Sequence, residues 1–199
     1  DCFVQGIQTE ENELVLKIIA NQTSTVFWKF LTEKQQNKVQ EKLEEILYQR
    51  LNVNLSSNVK KTLFNFYSSI AYSNLGKEKL YQIWNKENTI EGLKLNEDDY
   101  TSIAMNLAIF KHQKRDEILD KARAAITNPD KLKRFDYLLP SLSKDENVRN
   151  GFMESLKEDS KREKESWVTS GLANVHHPLR QESAQKYIRA SSLSLQWLE

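Results

Sequence analysis

NPDKLKRFDYLLPSLSKDENVRNGFMESL, residues 128–156, holds two helix starts in one short stretch. Asn128 is a good N-cap: its side chain can accept from the free amides of the first turn. Pro129 follows at the first helical position, where a missing N–H costs nothing. Ser143 stands three residues before Glu146, which is capping-box spacing. The stretch therefore predicts a helix of about 12 residues, a loop of about four, and a second helix.

The same signals recur across the second half of the chain. They fall at Asn96 (NEDD), near His112, at Asn128, at Ser143 (SKDE), at Ser160 (SKRE, with Glu163) and at His177 before Pro178, spaced 15–17 residues apart. Two such units make a helical hairpin of about 32–34 residues, the period of stacked α-α repeats. The fold class this predicts is all-α: a right-handed α-α superhelix, or HEAT-like solenoid, of about ten helices in antiparallel pairs. A compact helical bundle is the alternative. No domain boundary is visible, so residues 1–199 read as one helical domain. The most polar stretch, ESLKEDSKREKES (154–166), reads as a solvated turn between helices.

Upstream, apolar periodicity carries the reading. In ENELVLKIIANQTSTVFWKF (11–30), Val15, Ile19, Val26 and Phe30 share a helical face. Thr32 and Gln35 have capping-box form ahead of a stripe of Val39, Leu43, Ile46, Leu47 and Leu51. Further stripes follow at Leu63, Phe66 and Ile70, and at Leu80, Ile83 and Trp84. Gly76 and Gly92 read as breakers between segments. Trp28, Trp84, Trp167 and Trp197 each lie in an amphipathic segment and read as core anchors.

Composition supports a helix-rich chain. Hydrophobic residues make up 39% of the 199 positions, with only three prolines and five glycines. Twenty-nine Lys and Arg against 28 Asp and Glu leave a net charge of +1, which gives no global pull toward nucleic acid or an anionic membrane. No apolar run approaches the roughly 20 residues a membrane helix needs, so the chain reads as soluble, with its compartment unassigned between cytoplasm and periplasm or cell envelope. Cys2 is the single cysteine, so no internal disulfide can form. Asn21 and Asn54 head N-x-S/T sequons of the kind an Asn-rich chain produces by chance. The start, DCFVQGIQTEE, has neither an initiator Met nor a basic leader, and reads as the middle of a longer protein.

Candidate chemistry is sparse. His176 and His177 are adjacent, and helical neighbours diverge by about 100°, so they do not converge on one metal as an i, i+4 pair does. Pro178 disfavours helix at His177. The helix through Trp167, Val168, Leu172 and Val175 should therefore end near there, with an imidazole bonding its free carbonyls. A new helix should follow from Pro178, lined by Ile188, Ser191, Leu195 and Leu198. His112 has no ligand motif around it. Glu97, Asp98 and Asp99 read as first-turn acids favoured by the helix dipole. KHQKRDE (111–117) and KLKR (131–134) read as solvated basic faces. The chain contains no H-E-x-x-H, G-x-S-x-G, G-x-G-x-x-G or G-x-x-x-x-G-K-[ST]. No residue is nominated as catalytic, cofactor-binding or metal-ligating.

Several stretches nevertheless resemble a known family. NPDKLKRFDYLLPSLS (128–143), NVRNGFMESL (147–156) and ESWVTSGLANVHHPLRQESAQKYIRASSL (165–193) resemble the C-terminal helical domain of aminopeptidase-N-type zinc aminopeptidases. TVFWKFLT (25–32), KKTLFNFYSSIA (60–71) and GKEKLYQIWNKENTIEGLKLNEDDYTSIAMNLAIF (76–110) are similar to the same domain in bacterial members. The WV…GL…HHPLR block is the most specific part. The resemblance implies a curved HEAT-like array that walls and caps the active-site chamber and limits which peptides enter. It implies three kinds of partner: the N-terminal domain of the same polypeptide, its catalytic domain, and peptide substrates. Zinc would be the cofactor of that catalytic domain, whose H-E-x-x-H and G-x-M-E-N motifs are not in this chain, so no zinc-ligand role carries over. Family domains continue beyond the position of Leu198, so the chain is expected to stop about a helix early. The rival readings are a stand-alone helical-repeat scaffold that binds a peptide or protein on its concave face, and a nucleic-acid-binding repeat.

Overall fold

The computed structural model describes residues 2–188, and the chain is all-helical over that span with no strand. Its helices are α1 (Cys2–Thr9), α2 (Glu13–Thr25), α3 (Glu33–Leu51), α4 (Ser57–Ile70), α5 (Asn74–Trp84), α6 (Glu97–Ile109), α7 (Arg115–Ala125), α8 (Pro129–Leu142), α9 (Glu146–Ser155), α10 (Glu165–Val175) and the single turn α11 (Gln181–Ala184). Two compact units divide after Leu107, near the end of α6. Within each unit the main contacts join helices one or two places apart in the chain. That local pattern is what stacked α-α repeats produce. No described helix is long and apolar enough to cross a membrane.

In the first unit, α4 packs on α2 and α3, and α1 on the same two helices. The α1 helix was not foreseen, although Ile7 anchors it as a fully buried side chain. Local capping follows the sequence closely. Thr32 and Gln35 form the reciprocal box at the head of α3. Asn96 and Asp99 do the same ahead of α6, with Asn96 N donating to Asp99 Oδ2 at 2.7 Å and Asp99 N to Asn96 Oδ1 at 3.1 Å. The expected stripe on α2 is displaced by one residue: Leu16, Ala20 and Thr23 are buried, whereas Val15 is 41% exposed. A π-turn over Val26–Phe30 follows, burying Phe27 and leaving Phe30 at 74% exposure. Segment 11–30 is thus not one continuous α-helix, and its face rotates at the insertion.

The inner face of α3 is partly polar, which the apolar stripe did not reveal. Gln36, Gln40, Glu44 and Arg50 are buried there, whereas Val39 is exposed. Each has a purpose. Gln36 donates to Phe27 O at 2.7 Å. Arg50 reaches Glu10 O at 3.1 Å. Glu44 accepts from Gln40 Nε2 and Ser73 N, at 2.9 and 3.0 Å, and bonds the Ser73 hydroxyl. Ser73 is the N-cap of α5, so a carboxylate meets the positive end of that helix. Gly76 lies inside α5 rather than before it, because a Cβ there would sit 2.3 Å from Glu44 Oε2. Gly92 is the true breaker, with φ of +75° in the loop before α6.

In the second unit, α8 packs on α7, α9 and α10. Its core gathers Phe152, Met153 and Leu156 against Val168, Leu172, Val175, Ala184 and Tyr187. Asn128 caps α8 as expected, its Oδ1 accepting from Asp130 N and Lys131 N at 2.9 and 3.2 Å. Ser143 instead closes α8, and Asp145 caps α9. Ser160 starts no helix. It lies in a short 3₁₀ turn, and α10 begins at Glu165. The polar 154–166 stretch is a mostly exposed inter-helix connection, tethered where Arg162 donates to Leu156 O at 2.6 Å. Trp84 is buried, whereas Trp28 and Trp167 are only partly so and stack beside Tyr72 and Tyr137. Trp197 lies outside the described residues.

Two glycines make opposite tests of this packing. A Cβ at Gly171 on α10 would fall 2.3 Å from the Phe152 ring, whereas one at Gly151 on α9 meets nothing within 4 Å. Gly171→Ala is expected to lower the unfolding free energy by about 1–2 kcal/mol, overpacking outweighing helix propensity. Gly151→Ala should raise it by about 0.5–1 kcal/mol. Urea unfolding of both variants checks the pair; equal effects would contradict the close approach of α9 and α10.

Candidate functional site

The block that looked most informative, WV…GL…HHPLR, folds as a corner between α10 and the turns that follow it. The helix ends at Val175, as Pro178 required. His177 then caps the next turn: its Nδ1 accepts from Leu179 N at 3.3 Å, and Pro178 occupies the first position. As far as Tyr187, the stretch expected to form a long helix from Pro178 is a 3₁₀ turn, the α11 turn and another 3₁₀ turn. Ala184 and Tyr187 face the core, and Ile188 is 59% exposed rather than lining it. Ser191, Leu195 and Leu198 lie outside the described residues.

The carbonyls at this corner are filled chiefly by Arg180, not by an imidazole. Its Nη1 donates to Ser141 O at 2.6 Å and Asn174 O at 3.1 Å, and its Nη2 to Leu142 O at 2.8 Å. Arg115 Nη2 also reaches Leu142 O, at 2.6 Å. Arg149 Nη1 takes Ser143 O and Lys144 O at 2.8 and 3.0 Å. Three guanidiniums thus converge on the C-terminal end of α8, where orphan carbonyls and the negative end of the dipole attract them. All three are at least nine-tenths buried. Burial, and then the charges of Arg149 and Arg115, lower Arg180 to about 10, still protonated at neutral pH.

This cluster corrects the reading of KHQKRDE as a solvated face at two positions, the other five residues being exposed. Arg115 and His112 are buried, and His112 Nδ1 accepts from Lys114 N at 3.1 Å at the head of α7. In KLKR, Lys131 and Lys133 are exposed, whereas Arg134 bonds Ser170 Oγ at 3.1 Å. Glu97, Asp98 and Asp99 do occupy the first turn of α6. Among the described residues no group of three or more His, Cys, Asp or Glu is placed to hold a metal ion. His176 and His177 face different rings, Tyr187 at 6.4 Å and Phe110 at 6.1 Å. The arginine anchors were missed because Arg115, Arg149 and Arg180 are far apart in sequence; only the HHPLR block drew attention to one of them.

No family model matches the chain, and no curated protein matches it significantly.

Two outcomes test this corner. Arg180→Met should cost about 3 kcal/mol of stability, since the Ser141 and Asn174 carbonyls lose a charged donor in a buried setting; unaltered urea unfolding would contradict the anchor. The second concerns pH. Burial, and then the Arg180 charge, push the His177 imidazole down to about 4, and burial also lowers His176. The unfolded chain binds a proton near 6.5, so between those values the unfolded state holds more protons. The His177 contribution is therefore full above about pH 6.5 and is lost as pH falls toward about 4, to a limit of about 3 kcal/mol. His177→Asn keeps a capping acceptor and should flatten the stability–pH curve across that window.

Proposed function

We propose that this chain is the non-catalytic C-terminal helical domain of an aminopeptidase-N-type zinc aminopeptidase, an enzyme that releases N-terminal residues from peptides. The supporting observation is where the resembling stretches lie. Residues 128–143, 147–156 and the 165–187 part of the third stretch are α8, α9, α10 and the corner beyond. Those elements pack on one another and share the Arg149 and Arg180 anchors at the end of α8. The motif is thus a helix-packing motif, as a helical-domain signature should be.

On this reading the chain contributes shape: a wall and cap for the active-site chamber that restricts entry. Zinc in the catalytic domain would polarise the scissile carbonyl and activate water, with a Glu as general base. The residues of this chain would hold neither the metal nor the reacting bond. Its partners are the N-terminal and catalytic domains of the same polypeptide, together with peptide substrates.

The deciding measurement is the intact mass and zinc content of the native polypeptide, purified from its source with an antibody to this chain. The expected result is a species several times the mass of the 199-residue chain, carrying about one zinc. The purified chain alone should not hydrolyse aminoacyl anilides. A zinc-free native species of about the size of this chain would overturn the proposal and favour a free-standing helical scaffold.

A further inference from the structure

Residues 178–188 follow the His177–Pro178 corner as short turns rather than as a helix of several turns. Short turns keep few hydrogen bonds within themselves, so their stability comes from what they touch. Arg180 grips the carbonyls of Ser141, Leu142 and Asn174 at 2.6–3.1 Å. Ser183 Oγ accepts from Arg149 at 3.3 Å, and Lys186 donates to Glu146 on the surface at 2.5 Å. Ala184 and Tyr187 complete the apolar core shared by α9 and α10.

The head of this segment is capped by a lone pair. His177 Nδ1 accepts from Leu179 N at 3.3 Å, and a protonated imidazole has no acceptor to offer. A proton there would also add charge where cations already gather. Arg180 stands on the same turn and acts on the imidazole directly, with Arg149 of α9 and Arg115 of α7 acting in turn on Arg180. The last five residues of α8, Leu138–Leu142, carry no ionisable side chain, and α10 carries Glu165 alone, at its far end. Phe110, ahead of α7, presents a ring to His177 at 6.1 Å, and His112 beyond it is turned to the Lys114 amide. The carboxylates at the edge of the cluster are engaged: Asp116 bonds Lys144, and Glu146 bonds Lys186.

We propose that residues 178–188 form an acid-released strap: protonation of His177 removes the cap and detaches the segment from α9 and α10, while α8, α9 and α10 stay packed on one another. Pro178 already breaks the chain direction at the corner, so the strap can part without unwinding α10. Closed, the imidazole is held down at about 4 by burial and then by Arg180; released into water it returns to 6.5. The open form therefore binds more protons between those values, and opening grows as pH falls through that window. From pH 8 to pH 5 the open population should rise about 30-fold through His177 alone. His176, whose ring meets Tyr187 at 6.4 Å and which burial also lowers, adds in the same direction. The same proton lowers the stability of the whole unit, but the strap has less packing to lose and yields first. Opening bares the face of α9 and α10 that Ala184 and Tyr187 cover, whatever polypeptide the chain belongs to.

The test is hydrogen exchange of the 199-residue chain, read by mass spectrometry between pH 8 and pH 5 and corrected for intrinsic exchange rates. Peptides from 178–188 should be less protected than those from α8 and α10 at every pH. Their protection should fall by about 30-fold or more across the window. His177→Asn, which keeps an acceptor but takes no proton, should shrink that fall by about 30-fold. Lys186→Gln should leave the fall as it is, because Glu146, which Lys186 holds below the usual carboxylate range, titrates outside the window. The proposal is overturned if 178–188 exchanges no faster than α8 and α10, since the segment would then open only with the whole unit. It is equally overturned if His177→Asn keeps the pH dependence of the parent, or if Lys186→Gln removes it. Should His177→Asn fail to fold, the profile of the parent still decides: a fall that begins only below pH 5 contradicts the strap.

Discussion

The second unit depends on how the C-terminal end of α8 is satisfied. A helix leaves its last carbonyls without intrahelical partners, and at α8 those groups are buried among three other elements. Arg115 arrives from α7, Arg149 from α9 and Arg180 from the corner after α10, and together they take the carbonyls of residues 141–144. Each guanidinium offers several donors in a fixed fork, so one side chain can satisfy more than one carbonyl. The cost is mutual repulsion among three buried cations, visible in the lowering of Arg180 by its two neighbours. The negative end of the α8 dipole and the charge-assisted bonds offset it. Because each donor comes from a different element, the cluster fixes where α7, α9 and the corner meet α8.

The first unit solves the same problem with single side chains. Arg50 takes Glu10 O at the end of α1, and Lys60 takes Glu91 O in the loop beside Gly92. At the opposite pole, Glu44 meets the N-terminus of α5 through Ser73. A cation at the end of α1 and a carboxylate at the head of α5 follow the polarity of the helix dipole. The charge of Glu44 also acts on its surroundings. Burial first, and then Glu44, push the Tyr72 hydroxyl up to about 12 and Tyr67 higher still. Both phenols stay neutral beside a carboxylate, and the Tyr67 hydroxyl donates to Gly76 O at 3.3 Å.

These interactions explain which parts of the structure the sequence made legible. Signals that act within one turn were readable: the Thr32–Gln35 box, the helix start at Asn96, the Asn128–Pro129 start and the stop before Pro178. Each is decided by residues within three positions of one another, so tertiary context seldom overrides it. Signals that depend on a distant partner were not. Ser160 has the spacing of a capping box, yet Arg162 is drawn to Leu156 O and holds that segment as a connection. Val39 looks like core beside Gln36 and Gln40, yet the carbonyl of Phe27 and the Glu44 carboxylate draw the amides inward. The register of α2 slipped by one residue because Thr23 can be buried cheaply: its hydroxyl bonds Ile19 O at 2.7 Å within its own helix. Apolar periodicity finds a helix, but it places the buried face poorly where polar side chains have buried partners.

The HHPLR corner shows how chemistry-bearing residues can mislead. Two adjacent histidines invite a metal or an acid–base role, yet His177 acts through a lone pair that caps a backbone amide, and burial keeps it neutral for that purpose. The residue that joins helices is Arg180, the least remarked of the five. It follows that the block carrying the family resemblance is defined by packing and carbonyl capture. A resemblance resting on Arg180 and its neighbours thus speaks to architecture: what it marks is the joint where α8, α9 and the corner after α10 meet.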